Sequence, residues 1–122
     1  MKRPQFVINF EYIDGLPYIK VQIGHESGYL LLDTTSKHCF LSARFFEEHG
    51  NPEMVLPCEE SEIGKTISIL TFQDYDFKVP MIIKPLEGIL GILGTNFLHR
   101  WKMVIDFDAE MLYSYNIEEK ER

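Results

Sequence analysis

The opening third of the chain holds the feature that most narrows its fold. Residues 6–13 (FVINFEYI) and 18–23 (YIKVQI) are rich in β-branched and aromatic side chains, and the second run alternates strictly. Between them stands Asp14-Gly15, a residue pair suited to the positive φ angles of a two-residue hairpin turn. A period of two puts successive side chains on opposite faces of a strand, so the segment reads as a β-hairpin. The same grammar continues downstream. Gly24 to Gly28 gives a second turn, and residues 29–32 (YLLL) form a fully apolar strand. Residues 67–72 and 77–83 flank Gln73-Asp74-Tyr75-Asp76 as a second hairpin. Residues 89–93 (ILGIL) are a buried strand interrupted by Gly91, and 101–107 and 111–115 close the chain as strands. Residues 117–122 (IEEKER) read as a solvated charged end.

Two short helices punctuate the strands. Residues 42–49 (SARFFEEH) start on a serine suited to capping and stop before Gly50, and residues 95–101 (TNFLHRW) follow Gly94. The expectation is an all-β domain spanning 1–122, since 122 residues match roughly one domain of about 100–200 residues. There is also an internal echo. IKV at 19–21 returns as FKV at 77–79, and the apolar strand ending at Asp33 returns as one ending at Gly94, 61 positions later (94 − 33). Each copy is a strand pair, a buried strand and a sharp turn, as in two related halves packed into one sheet system.

Several function classes are disfavoured. With 19 acidic against 12 basic side chains the formal charge is −7, which repels phosphate backbones, so no nucleic acid is expected as a partner. The apolar runs fall far short of a membrane span. The first residues begin basic, but an acid soon interrupts the apolar stretch. That makes a poor secretory signal and points to the cytoplasm. Cys39 and Cys58 are too few for a disulfide framework and read as free thiols. His25, His38, His49 and His99 lack metal-ligand spacing. Gly64-Lys65-Thr66 looks like the end of a phosphate loop, but Glu59 stands where its first glycine belongs. Gly88, Gly91 and Gly94 recur every third residue, which is not a dinucleotide fingerprint. Neither a metal nor a cofactor is expected.

The chemistry concentrates in two stretches. In YLLLDTTSKHCFLS (29–42), Asp33 ends four apolar residues, and Thr34, Thr35 and Ser36 offer it hydroxyl and backbone N–H donors. Taken alone, this is a carboxylate capping a turn. The second stretch, GILGILGTNFLHRWKMVIDF (88–107), changes the weighing. An apolar strand ending in Asp33-Thr34-Thr35-Ser36, then Leu93-Gly94-Thr95-Asn96-Phe97-Leu98 and a closing Val104-Ile105-Asp106-Phe107, resembles the retropepsin-like aspartic proteases, in order from about residue 18 to residue 115.

That resemblance implies a closed β-barrel or half-barrel with two short helices, assembled as a two-fold homodimer, with a peptide or protein as substrate. The chemistry needs two carboxylates sharing one proton, one acting as base on a water while the other protonates the scissile carbonyl. Asp106 matches a non-catalytic family position, so the pair must be Asp33 from each of two chains. Thr34 matches the threonine that ties the two active-site loops together, with Thr35 and Ser36 supporting the loop. Residues 59–66 (EESEIGKT), centred on Ile63, Gly64 and Lys65, match the flap that folds over substrate. Gly94 and Asn96 belong to the second turn, and the strand at 111–115 helps build the intersubunit sheet in the family. Thr35 departs from the pattern, because the family has glycine there. Threonine keeps the N–H but adds a stiff β-branched side chain beside the carboxylate. Together with a glycine-poor flap, it motivates an alternative: a catalytically inactive dimer of the same fold, serving as a peptide-binding or scaffolding module.

Overall fold

A computed structural model of the chain describes residues 4–115; the basic start at 1–3 and the charged end expected at 117–122 lie outside the described residues. The first hairpin pairs β2 (Glu11–Ile13) with β3 (Leu16–Ile23), and both Asp14 and Gly15 adopt positive φ, 52° and 82°. The run expected at 6–13 is broken in two. β1 (Phe6–Asn9) belongs to a different sheet, because Phe10 is buried and its N–H bonds Glu110 O at 2.9 Å. The next turn is tighter than expected, only Gly24-His25, and β4 (Glu26–Leu32) already includes Gly28.

Two further elements appear that periodicity does not reveal, β5 (Phe40–Ser42) and β6 (Leu56–Cys58), each three residues long and without room for a pattern. Between them lie α1 (Ala43–His49) and a single 3₁₀ turn at Pro52–Met54. The helix starts where expected, for Ser42 Oγ accepts the Phe45 N–H at 3.3 Å, and it ends as the Gly50 N–H bonds Phe46 O. The second hairpin is β7 (Ser61–Phe72) and β8 (Tyr75–Lys84), longer than expected and joined by only Gln73-Asp74. β9 (Gly91–Leu93), α2 (Thr95–Arg100), β10 (Val104–Asp106) and β11 (Met111–Ser114) complete the chain. Trp101, where the expected helix at 95–101 and the expected strand at 101–107 overlap, caps α2 with its ring buried.

The large sheet runs β2-β3-β4-β9-β5-β8-β7-β6, and β7 pairs back onto β3 through Gln22–Thr71 and Ile23–Leu70. That last pairing closes a six-stranded ring, so the expected barrel is observed. Its inside is set by alternation: along β7, Thr66, Ser68, Leu70 and Phe72 are buried while Lys65, Ile67 and Ile69 face out. Phe77 lies at the aromatic centre, its ring 4.9 Å from Phe6, 5.4 Å from Phe97 and 5.0 Å from Trp101, all edge-on. Edge-on packing of this kind adds about 0.5–1.5 kcal/mol per pair beyond burial.

Two features position the site. First, β4 and β9 run parallel with Leu30 against Gly91, Leu31 against Ile92 and Leu32 against Leu93. This register has the offset of the sequence echo, so the two copies lie side by side and both end at the same rim, one in Asp33 and the other in Gly94. Second, a smaller sheet runs β1-β11-β10, with β11 in the middle. β11 is bonded to β1 on one edge and to β10 on the other.

Candidate active site

Buried Leu30 and Leu32 anchor the end of β4, and the Asp33 N–H bonds Leu93 O at 3.1 Å, fixing the residue to β9. The chain then turns, with the Ser36 N–H on Asp33 O at 3.2 Å. Asp33 is half-buried; Thr34 and Thr35 are exposed. One carboxylate oxygen, Oδ1, accepts two bonds from the same residue: the Thr35 N–H at 2.9 Å and the Thr35 hydroxyl at 2.5 Å. Among the described residues no donor is bonded to Oδ2. Thr35 holds this arrangement without positive φ. The side chain that departs from the family pattern therefore orients the carboxylate, and it does so without a positive φ.

The two turns are knitted together. The Thr95 N–H bonds Ser36 O at 2.8 Å and the Asn96 N–H bonds Lys37 O at 3.0 Å. Gly94 sits where a Cβ would stand 2.2 Å from His38 O and 2.7 Å from Ser36 O, so close approach of the two loops requires glycine there. Ser36 Oγ donates to His38 O at 2.9 Å, bracing the first loop. Asn96, in the first turn of α2, accepts the Phe97 N–H on its Oδ1 at 2.7 Å and also accepts from Cys39 Sγ at 3.1 Å. Cys39 Sγ in turn accepts the Gly94 N–H at 3.3 Å. Burial pushes the Cys39 thiol up from its ordinary range, with backbone N–H groups of Gly94 and Phe97 pulling the other way. It is held as a thiol and serves as a fastener between the turns. The sequence alone shows only a free cysteine here, since its partners lie 55 and 57 positions away and nothing local marks the contact.

The β6–β7 hairpin turns at Glu59-Glu60. Ile63, Gly64 and Lys65 lie past that turn, on β7. Gly64 has φ 123° beside an irregularity in the ladder, and a Cβ there would stand 2.5 Å from Leu56 O. Ser61 Oγ donates to Ile83 O and accepts the Ile63 and Gly64 N–H groups at 3.1 and 3.2 Å, which ties the base of the turn to β8. Glu60 Oε1 lies 3.8 Å from His38 Nε2, so the hairpin tip touches the loop that carries Asp33. Both groups are well exposed, and such a pair contributes at most about 1 kcal/mol. Asp106 plays a structural part, for its Oδ1 accepts the Ala109 N–H at 2.9 Å and shapes the β10–β11 turn.

Two clefts, of about 740 and 430 Å³, share Glu26, Phe45 and His49 in their walls and do not include Asp33. Among the described residues no group of three or more His, Cys, Asp or Glu side chains is placed to hold a metal ion, and no helix is long and apolar enough to cross a membrane.

A closed strand ring, two turns side by side at its rim and an aspartate on one of them define the class: this is the retropepsin-like, all-β fold of aspartic proteases. Solved structures make the likeness particular. The retroviral protease-like domain of Ddi1 from Leishmania major superposes with a TM-score of 0.68 at 14% identity, covering 85% of this chain and 98% of that domain. A retropepsin-like aspartic protease from Rickettsia conorii gives 0.64 at 18% identity, covering 89% and 90%. EIAV protease, in complex with the inhibitor HBY-793, gives 0.51 at 16% identity, covering 74% and 91%. No family model matches the sequence, and no curated protein matches it.

Proposed function

We propose that the chain is half of a homodimeric aspartic endopeptidase, with Asp33 of each copy forming the catalytic pair. The observation that carries this reading is the presentation of Asp33: half-buried at the end of an apolar strand, one oxygen held twice by Thr35, the other without a bonded donor among the described residues. Two such carboxylates facing each other share one proton, because like charges at about 3 Å cannot both ionise. The charged one takes a proton from the water between them. The water oxygen adds to the carbonyl carbon of the peptide, and the protonated carboxyl gives its proton to the carbonyl oxygen. Thr34 supports the loop against its twin, and the β6–β7 hairpin covers the substrate.

A second reading is a peptide-binding or scaffolding dimer without catalysis. It is favoured by Thr35, whose side chain stands beside the carboxylate where the family has none. One experiment separates the two. The unmodified protein and Asp33→Asn are incubated with an unfolded protein substrate across the acidic pH range. Cleavage by the first, bell-shaped in pH, and none by the second supports the peptidase. Cleavage that persists in Asp33→Asn assigns the chemistry elsewhere. Peptide binding without cleavage by either selects the second reading.

A further inference from the structure

We propose that the outward face of β7 and β8 docks a partner polypeptide through a segment that is apolar at its centre and acidic at its ends. The surface follows from the ladder. Side chains paired across neighbouring strands share a face, as do residues two apart along one strand. Leu56 of β6 pairs with Lys65 of β7, which pairs with Ile82 of β8. The next pair on this face is Ile67 with Pro80, and the one after it is Ile69 with Lys78. These side chains form one continuous grid on the outside of the ring, while Thr66, Ser68 and Leu70 between them are buried.

The centre of the grid is apolar and open to solvent. Leu56, Ile67 and Ile69 are 59%, 65% and 53% exposed, and Pro80 is exposed beside them. A contiguous apolar patch of this kind marks an interaction surface. Its charges are of one sign. Lys65 and Lys78 are exposed, and among the described residues neither has a carboxylate at ion-pair distance. Lys84, two residues beyond Ile82, leans over the Phe40 ring with Nζ 4.8 Å from its centroid. The first acid on this face is Asp76, one pair further on, and its Oδ1 already accepts the Thr71 hydroxyl at 2.7 Å.

Charge complementarity selects the occupant. This is a basic, apolar face on a chain whose formal charge is −7, so its partner is acidic. Lys65 and Lys78 lie two ladder pairs apart, about 13 Å along the strands, with Ile67 and Pro80 between them. An extended segment with carboxylates about four residues apart and apolar side chains between them matches both the charges and the aliphatic centre. Aliphatic side chains offer a phosphate backbone nothing to bond, and the net charge repels nucleic acid and anionic lipid headgroups alike. β5 and β9 separate β8 from the strand that ends in Asp33, so the face lies outside the candidate active site. The proposal depends neither on catalysis nor on dimer formation.

Amide NMR titration tests this with the peptide acetyl-Glu-Asp-Leu-Thr-Leu-Asp-Glu-amide, its neutral counterpart with Gln and Asn at the acidic positions, and phosphatidylserine vesicles. Every protein in the titration carries Asp33→Asn, so that no peptide is cut, and far-UV circular dichroism confirms that each is folded. The expected result is a Kd of about 1 mM or tighter for the acidic peptide, with shifts centred on Lys65, Ile67, Ile69 and Lys78. Lys65→Glu combined with Lys78→Glu should raise Kd at least about tenfold, and Ile67→Ser likewise, with Ile69→Ser in its place if that variant does not fold. Lys20→Glu, on β3, should leave Kd within about twofold. No binding, equal binding of the neutral peptide, or a Kd untouched by the lysine reversals or by the serine variant overturns the proposal. So does binding of the vesicles without binding of the peptide. Sedimentation velocity covers the remaining occupant: self-association of the unmodified chain that Ile67→Ser abolishes assigns the face to a second copy, and the proposal falls.

Discussion

Gly94→Ala puts one methyl group where the two turns touch, and its cost follows from distances. The new Cβ would lie 2.2 Å from His38 O and 2.7 Å from Ser36 O. Both are backbone atoms, so relief requires the loops to part by about 1 Å rather than a side chain to rotate. Overpacking of this sort costs about 1–3 kcal/mol. Parting the loops also breaks the bonds from the Thr95 N–H to Ser36 O and from the Asn96 N–H to Lys37 O, at about 0.5–1.5 kcal/mol each. Gly94 has φ −98°, so alanine brings no conformational strain, and the stiffer unfolded chain returns about 0.4–1 kcal/mol. The net expectation is a loss of about 1–6 kcal/mol, or about 4–24 °C in Tm for a chain of this size. Urea unfolding should show a lower midpoint with an unchanged slope. Gly88→Ala is the control: φ is +76° and nothing lies within 4 Å of the new Cβ, so it reports conformational strain alone, about 1–2 kcal/mol. A Gly94→Ala loss no larger than that of Gly88→Ala would refute the argument that the turns are locked by close approach.

Other expectations concern single side chains. A thiol reagent at neutral pH should label half-buried Cys58 in the native protein and reach buried Cys39 only after unfolding. Because burial raises the Cys39 thiol, its contribution to stability is complete below the ordinary value of 9.0 and is lost as pH rises beyond it; urea midpoints between about pH 8 and 10 should fall more in the unmodified protein than in Cys39→Ser. Ser42→Ala removes the acceptor for the Phe45 N–H and should cost about 1 kcal/mol in thermal unfolding. Under the peptidase reading, Thr35→Val keeps the shape but loses the hydroxyl bond to Asp33 and should lower kcat/KM about ten- to a hundredfold, while Thr35→Ser retains most of it.

Much of the architecture is legible in the sequence because it is local. The Asp14-Gly15 turn, the Ser42 cap and the long alternation of β7 and β8 each specify their own geometry. The echo at 61 positions anticipates the pairing of β4 with β9, since both copies must bury the same face. What escapes is set by distant partners. β5 and β6 are strands only because long neighbours supply their ladders. Trp101, shared in the sequence between a helix end and a strand start, ends α2, where its ring packs edge-on against Phe77. At the site, Asp33, Gly94 and Asn96 are visible as motif residues, but Thr35 reads only as a departure. That its hydroxyl turns onto Asp33 depends on a rotamer, and no sequence spacing encodes that. Cys39 and the approach of Glu60 to His38 arise from loops that converge across the fold.

The enclosure of β11 separates two equilibria that a shared terminal strand would fuse. Where chains complete each other's sheet, folding and association are one event, and melting temperature rises with concentration. Here β11 is bonded on both edges within one chain, and that chain alone buries Phe6, Ile8 and Leu112 in its core. Under the dimeric reading, dilution would then switch off turnover without unravelling anything: specific activity would fall as copies part, while the melting curve of the separated chains stayed cooperative. The abundance of the protein, rather than its foldedness, would set how much enzyme is working.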